Sequence, residues 1–444
     1  MSAVAWAMLL GGSILVGAGL VMALSAARPM SFFGLTGFFA GLLAGFAGVF
    51  SFSMRSGRLD VALAAAAFGL LVVAGSYSLA SGMLLRLHAS HARRAEGSPP
   101  PGVLTLHAPA NEKAPVVILD IDAEPDRYTP ADVAASLALF EELSFPLPPR
   151  GARPMLFAAQ RARYRSQGDT SPARESARLL GEAVAAALRD ELPGAAVYVS
   201  WGTHLPRADD VVASVTRAGA PPVAGQPQER AVKDRTDVAS EPSDGSARDI
   251  VLAPAAIGDS PVATFVRSRC ESLAREAGGA RILHTDPLWG SNALAERCAE
   301  VIASRAEGHD LFLTGVCLVG QGDVLGMEER TSTTVEHETY FHQRIRANLL
   351  ESGFPTSNVR LSWLQWTDPD VTEVVRHLAA LGCRHVLVCP ASMLVDSLAT
   401  RVDLAQAIRF ARVPSSTQVT VVPPLGDDPV LVREITQRVL KALG

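Results

Sequence analysis

Glu336-His337-Glu338 and His342 place two imidazoles and two carboxylates within about a turn and a half of one expected helix. Glu338 and His342 stand i, i+4 on one face, a spacing that can hold a divalent metal. The simpler reading is the solvated, charged start of a helix. Cys317 lies in an apolar run, where a thiolate could take a soft metal and a buried strand thiol is the plainer alternative. His204 lies in a loop at the C-terminal edge of an expected strand, where open α/β sheets bind ligands; lone histidines are more often structural. Asp396 follows another strand and is either a ligand or the cap of a helix starting near Ser397. Asp427-Asp428-Pro429 reads as a turn and helix start, and Gly320-Gln321-Gly322-Asp323 as a turn. The sequence has no GxxxxGK[ST], GxGxxG, GxSxG or HExxH.

The elements that would carry these residues alternate between strand and helix. Short apolar runs at 116–121, 196–200, 250–254, 311–319, 359–363, 386–390 and 418–422 read as strands. Helical spacing marks 130–143, 171–188, 262–277, 292–305, 339–352, 372–381, 404–411 and 430–443. The alternation implies parallel βαβ units with right-handed crossovers. Two halves are drawn, 115–279 and 280–444. Residues 95–114 are rich in Pro and Gly and read as a linker. Within the first half, about 207–249 is rich in Pro, Ala, Ser and mixed charge and lacks aromatics, which predicts a disordered insertion.

The chain has 444 residues, 48% hydrophobic and 19% charged. The apolar excess sits at the N-terminus: 2–27, 29–54 and 61–85 carry no charge. Each is long enough to cross a bilayer as a helix, so 1–94 reads as a three-helix transmembrane anchor. Glycines such as Gly12, Gly17, Gly41 and Gly45 suit close helix packing. Arg86, Arg93 and Arg94 follow the third span, which places that end and the large domain in the cytoplasm of a multi-pass inner-membrane protein. Five cysteines with no CxxC fit a reducing compartment. A net charge of −5 leaves no basic footprint for nucleic acid.

Residues 386–403, VLVCPASMLVDSLATRVD, resemble the strand–turn–helix of ferrochelatases, whose pattern runs roughly VVPxxFxxDHxETLxEID. Asp396, Thr400 and Asp403 fall on matching positions, Asp403 on a family Glu. Further pieces are similar in the same order. Thr170-Ser171-Pro172 resembles a GGSP helix start. VYVSWGTHLP resembles a strand ending MRYxNP, and LAPAAIGDS resembles LPLYPQYS, keeping Pro254 and Ser260. Residues 292–303 resemble EALAERI. Tyr340 matches the Tyr of GDPY, and PPLGDDP resembles PCLNDDP.

The resemblance covers most of 115–444. It implies two Rossmann-like, chelatase-like halves with parallel sheets, and insertion of Fe²⁺ into protoporphyrin IX in the cleft between them. Both are substrates; no resident cofactor is implied. It makes Tyr340, Ser260 and Thr400 ligand-binding candidates, Asp396 and His204 catalytic candidates, and His337, His342 and Cys317 substitute metal ligands. The family's functional His, in FSxHGLP after a strand, falls on Val316, its Glu on Ala399, and the His preceding that Glu on Ser397. Valine and alanine neither take a proton nor ligate a metal. The expectation is a membrane-anchored ferrochelatase-like lyase of haem metabolism. The alternative is a catalytically inactive chelatase fold that binds porphyrin or scaffolds a membrane complex with protein partners. A third reading is a small-molecule transferase or binding protein on a similar sheet.

Overall fold

The computed structural model describes residues 3–25, 30–56, 59–95, 104–107, 114–145, 147–149, 152–218, 248–277, 280–322 and 333–444. They form two compact units. The first comprises Met1–Gly97 and Arg127–Thr170. It contains α1 (Ala3–Ser25), α2 (Met30–Ser56), α3 (Leu59–Ala95), α4 (Pro130–Glu142) and α5 (Arg153–Ser166). Gly12 and Gly41 lie where α1 and α2 approach most closely: a Cβ on Gly12 would sit 2.4 Å from the Gly45 nitrogen, and one on Gly41 2.6 Å from the Gly12 oxygen. Small residues are what permit such an approach. Among the described residues, two helical stretches are long and apolar enough to cross a membrane, Val4–Ala23 and Asp60–Met83; α2 contributes a shorter one, Leu35–Ser51. The expectation of three such spans is corrected to that extent.

Helices α4 and α5 group with the N-terminal helices although they are distant in sequence. Thr129 caps α4 by accepting from the Asp132 N–H (3.2 Å), with Pro130 in the first turn. From α5, the buried Arg161 donates to the Ala23 carbonyl at the end of α1 (3.0 Å). A cation there completes an orphan carbonyl and opposes the negative end of the helix dipole.

The second unit comprises Ser98–Asp126 and Ser171–Gly444. Its first sheet has the order β1-β3-β2-β4-β5, from β1 (Leu104–His107), β2 (Val116–Asp120), β3 (Ala196–Ser200), β4 (Arg248–Pro254) and β5 (Ala280–His284). Only β1 is antiparallel. The second sheet has the order β7-β6-β8-β9, all parallel, from β6 (Thr314–Gly320), β7 (Val359–Trp363), β8 (His385–Cys389) and β9 (Gln418–Val421). Without β1, the order β3-β2-β4-β5 repeats as β7-β6-β8-β9. The unit is one α/β motif used twice.

The helices obey the same scheme. They are α6 (Ala173–Arg189), α7 (Ala208–Ala218), α8 (Pro261–Ala277) and α9 (Asn292–Ala306), then α10 (Thr333–Glu351), α11 (Val371–Ala380), α12 (Leu404–Ala411) and α13 (Pro429–Leu443). The last helix of each half crosses over: α9 packs on α10 and β8, and α13 on α6 and β4. The exchange lets one apolar core run through both halves, from Val117, Leu119 and Val199 to Val316, Leu318 and Ile345. Strand alternation sends the other face of β6, Cys317 and Val319, into a separate core with Val375, Leu378 and Val388.

Three sequence expectations change. The linker 95–114 contains β1, an edge strand. The segment 207–249 contains α7 and the start of β4; its remainder, 219–247, lies outside the described residues. Strand β5 belongs to the first sheet, so the halves divide after it and not at 280.

Candidate functional site

In parallel α/β sheets the strand C-termini collect functional groups, because the loops leaving them are free of sheet bonding. In the first half, Asp120 ends β2 and Ser200 ends β3; the Ser200 hydroxyl donates to Asp120 Oδ1 (2.5 Å). Burial, partly offset by that hydrogen bond, raises the Asp120 pKa to about 6. Asp122 keeps solvent-accessible surface, yet protein surrounds it, and that enclosure raises its pKa. The neighbouring His204 works against the rise and Glu124 adds to it. His204 sits in the turn after β3, its N–H donating to the Trp201 carbonyl (2.6 Å). The sequence thus places His204 at the right edge, and its acidic neighbour is Asp122.

In the second half, Glu338 and His342 lie one turn apart on the inner face of α10, 2% and 0% exposed. The expectation of a solvated helix start fails here. Glu338 accepts hydrogen bonds from the N–H of Gln321 (2.7 Å) and Gly322 (3.2 Å), at the end of β6. Gly320 makes room for the carboxylate, since a Cβ there would lie 2.6 Å from Glu338 Oε2. Burial lifts the Glu338 pKa to about 7; the two amides, the Ser392 hydroxyl and the nearby Trp363 indole offset only part of that rise. The indole N–H lies close without reaching good hydrogen-bond geometry. His342 Nε2 pairs with Ser392 Oγ (3.0 Å), while its buried Nδ1 has no partner. Burial depresses its pKa to about 3, so the ring is neutral.

The repeat provides an internal control for these residues. The buried positions of α6 are Ala173, Ala177, Leu180, Gly181, Val184 and Leu188. Those of α10 have the same spacing: Thr334, Glu338, Phe341, His342, Ile345 and Leu349. Glu338 therefore stands where the first half has Ala177, and His342 where it has Gly181. The motif folds with small apolar residues at both positions, so it does not require the polar pair.

The other sequence-derived candidates separate. Cys317 faces the second core, 3.1 Å from Ser362 Oγ, and burial pushes its pKa up to about 12. It is a core thiol. His337 stacks on Trp289 (4.6 Å between ring centroids), and its Nδ1 accepts from the Asp259 N–H (3.4 Å). His337, His342 and Cys317 therefore do not converge. Among the described residues, no three His, Cys, Asp or Glu side chains gather as a metal-binding group. Tyr340 is half exposed near Trp289. Ser260 accepts from the Ala263 N–H (3.1 Å) at the start of α8.

Asp396 is not the backbone cap of the following helix. Its Oδ1 accepts from the Thr400 hydroxyl (2.7 Å) and its Oδ2 pairs with Arg401 (2.7 Å). Thr400 is buried in that network and accepts from the Ser397 N–H (2.9 Å). The cap comes from the other half: the buried Glu124 accepts from the Leu398 N–H and the Ser171 hydroxyl, both at 2.5 Å. Leu398 opens a π-helical turn, Ala399–Asp403.

Val316 and Ala399 both lie in the core. Strand β6 runs to Gly320, so Val316 is a mid-strand core residue. Gln321-Gly322, which by sequence reads as part of a turn, comes directly after the strand. Ala399 packs in the second core and faces no cleft.

Residues 332–442 match a family model described as CbiX. That stretch is chelatase-like. The CbiX-like stretch holds α10 with Glu338 and His342, Ser392, and strands β7 to β9. The match is to the wider chelatase-like group and does not single out ferrochelatases. Among solved structures, SirB from Bacillus subtilis with Fe³⁺ is 12% identical, with a TM-score of 0.39 over 74% of this chain and 95% of that one. The sirohydrochlorin chelatase SirB from Bacillus subtilis subspecies spizizenii, in complex with cobalt, is 11% identical at a TM-score of 0.40, over 74% and 95%. CbiX, the terminal enzyme of siroheme biosynthesis in denitrifying bacteria, is 16% identical at 0.38, over 74% and 100%. None of the curated proteins matches the chain.

Proposed function

We propose that this chain acts on a tetrapyrrole, with a divalent metal ion as second substrate, through a chelatase-like unit joined to membrane helices. The observation that carries the reading is the buried Glu338–His342 pair beside Ser392. It lies inside the CbiX-like stretch, at positions that the other half fills with Ala177 and Gly181. Metal insertion requires the pyrrole nitrogens to lose protons. A carboxyl that titrates near neutrality is a suitable acceptor, since a general base works best with a pKa near the working pH. The Asp122–His204 pair supplies further acid and base groups on the first-half edge. The metal itself would be held by the macrocycle, in keeping with the lack of a three-ligand cluster among the described residues.

The test uses the full chain in detergent, titrated anaerobically with protoporphyrin IX and separately with sirohydrochlorin, then with Fe²⁺ or Co²⁺. Metallated product above the protein-free rate, lost in Glu338→Ala, supports an enzyme. The tetrapyrrole that turns over decides between the ferrochelatase-like and the sirohydrochlorin reading. Binding without insertion supports a porphyrin-binding protein, which Val316 and Ala399 in the expected His and Glu positions favour. Binding of neither macrocycle ends the tetrapyrrole reading. The membrane part of the proposal rests on Val4–Ala23, Asp60–Met83 and the arginines near the end of α3, Arg86, Arg93 and Arg94. Extraction of membranes at alkaline pH checks it: release of the full chain into the aqueous fraction removes the anchor, and proteolysis of the large domain from the periplasmic side reverses the orientation.

A further inference from the structure

All five cysteines are buried, at 0% exposure for Cys270 and Cys317, 2% for Cys383, and 4% and 6% for Cys298 and Cys389. Both of the latter line one crevice, with Met393, Pro390, Leu394 and Val422. Cys298 comes from α9, Cys389 is the last residue of β8, and Met393 lies in the loop after β8, itself 8% exposed. The crevice is about 270 Å³ including the solvent at its mouth. Its lining holds two thiols and one thioether, and no carboxylate, imidazole or charged side chain. Helix exchange between the halves is what brings them together, since α9 comes after the first sheet but packs on β8 of the second.

Such a donor set selects by softness. Thiolate and thioether sulfur favour soft, thiophilic cations, while carboxylate and carbonyl oxygens suit Mg²⁺ and Ca²⁺. We propose that Cys298, Cys389 and Met393 form a binding site for a soft monovalent d¹⁰ cation of the Cu⁺ class, separate from the Glu338–His342 pair.

Charge balance favours one positive charge. In an apolar crevice a net charge is costly. Cu⁺ with one thiolate, one neutral thiol and one thioether is neutral: one S–H bond breaks, one S–Cu bond forms, and the proton leaves to solvent. Metal coordination deprotonates a thiol outright. The inference does not rest on the tetrapyrrole reading.

The test titrates the full chain, reduced and anaerobic in detergent, with Cu⁺ held by a chromophoric chelator. The expected result is one Cu⁺ withdrawn per chain with release of one proton. Cys298→Ser and Cys389→Ser should each weaken binding by at least about 100-fold, beyond the 10- to 100-fold typical of changes around a ligand. Met393→Leu, which conserves volume, should weaken it by about tenfold; Cys270→Ser and Cys383→Ser should leave it unchanged. If the Cys298 variant does not fold, copper-edge X-ray absorption of the wild-type complex keeps the test decisive: a sulfur-only shell is required. Failure to withdraw Cu⁺, retention by the Cys298→Ser/Cys389→Ser variant, nitrogen or oxygen in the shell, or equal competition by Zn²⁺ would each overturn the site.

Discussion

The two halves of the α/β unit share a strand order, a helix order and even a turn. After β3, the Trp201 N–H donates to the Pro206 carbonyl (3.0 Å); after β7, the Trp363 N–H donates to the Pro369 carbonyl at the same distance. They differ at the strand ends. The first half presents Asp120, Asp122 and His204 around solvent-accessible surface, while the second encloses Glu338 and His342 beside the half-buried Ser392. They also differ after the first strand of the motif, where the first half inserts α4 and α5 and these join the N-terminal helices. Equivalent positions with different residues separate what the motif needs to fold from what has been added.

The strongest way to break this comparison is to exchange the residues. Ala177→Glu puts a carboxylate into the first-half core without the amides that receive Glu338. An uncompensated buried charge costs about 3–5 kcal/mol, so the variant should lose most of its folded fraction in a denaturant titration. Gly181→His should fare no better, because a Cβ at Gly181 would already lie 2.2 Å from Leu106 Cδ1. If Ala177→Glu folds as well as wild type, the two helix faces are interchangeable and the internal control is void.

The reverse exchange, Glu338→Ala, should cost less and reveal more. It leaves the Gln321 and Gly322 N–H groups without their acceptor, at about 1–3 kcal/mol. The chain should still fold and lose metal insertion. Glu338→Gln keeps an acceptor oxygen, so near-wild-type stability with lost turnover would tie the defect to the proton and not to packing.

How much of this was legible varies by element. The alternation of apolar runs with helical spacing gave β2 to β4 and β6 to β9 and all the helices of the α/β unit but α7, because buried parallel strands read as short continuous apolar runs. Strand β5, ARILH, is not legible because it is half exposed and has only Ile282 and Leu283 as large apolar residues, between Arg281 and His284. The grouping of α4 and α5 with the N-terminal helices was not legible, since it depends on contacts such as Arg161 with Ala23, 138 residues apart. In the site, the i, i+4 pair of Glu338 and His342 was visible, but its burial was not: polar side chains on a helix start suggest solvent until the amides of Gln321 and Gly322 are known to face them.

A subtler effect arises from the opposed titrations in the second half. The folded pKa of Glu338 is raised to about 7 from 4.5, so the folded state holds its proton more tightly. Its contribution is full below pH 4.5 and is lost as pH rises through 7. That of His342 is lowered to about 3 from 6.5, so its contribution is present above pH 6.5 and is lost as pH falls toward 3. Between about pH 4.5 and 6.5 the two slopes oppose and the wild type should show little dependence from this pair. Glu338→Gln should lose stability as pH falls through that window, and His342→Asn should gain it, each by up to about 1.4 kcal/mol per pH unit. Melting curves at half-unit steps check the signs; parallel slopes would mean that neither group is the one titrating.

The smallest effect is expected at Asp396, the residue whose place in the sequence pattern first suggested a catalytic or capping role. Arg401, its charged partner, is well exposed, so the ion pair is worth little. The Thr400 hydroxyl keeps its bond from the Ser397 N–H without Asp396, and the Leu398 N–H belongs to Glu124. Asp396→Ala should therefore cost about 0.5 kcal/mol or less and leave turnover intact. Glu124→Ala, which strips a buried N–H and a buried hydroxyl of their shared acceptor, should cost about 1–3 kcal/mol. The two variants, measured side by side by denaturant midpoint and metal insertion, separate the residue that holds the π-helical turn from its neighbour. A loss of turnover in Asp396→Ala with an unchanged midpoint would restore Asp396 as a ligand and move the working edge of the second half from α10 to that turn.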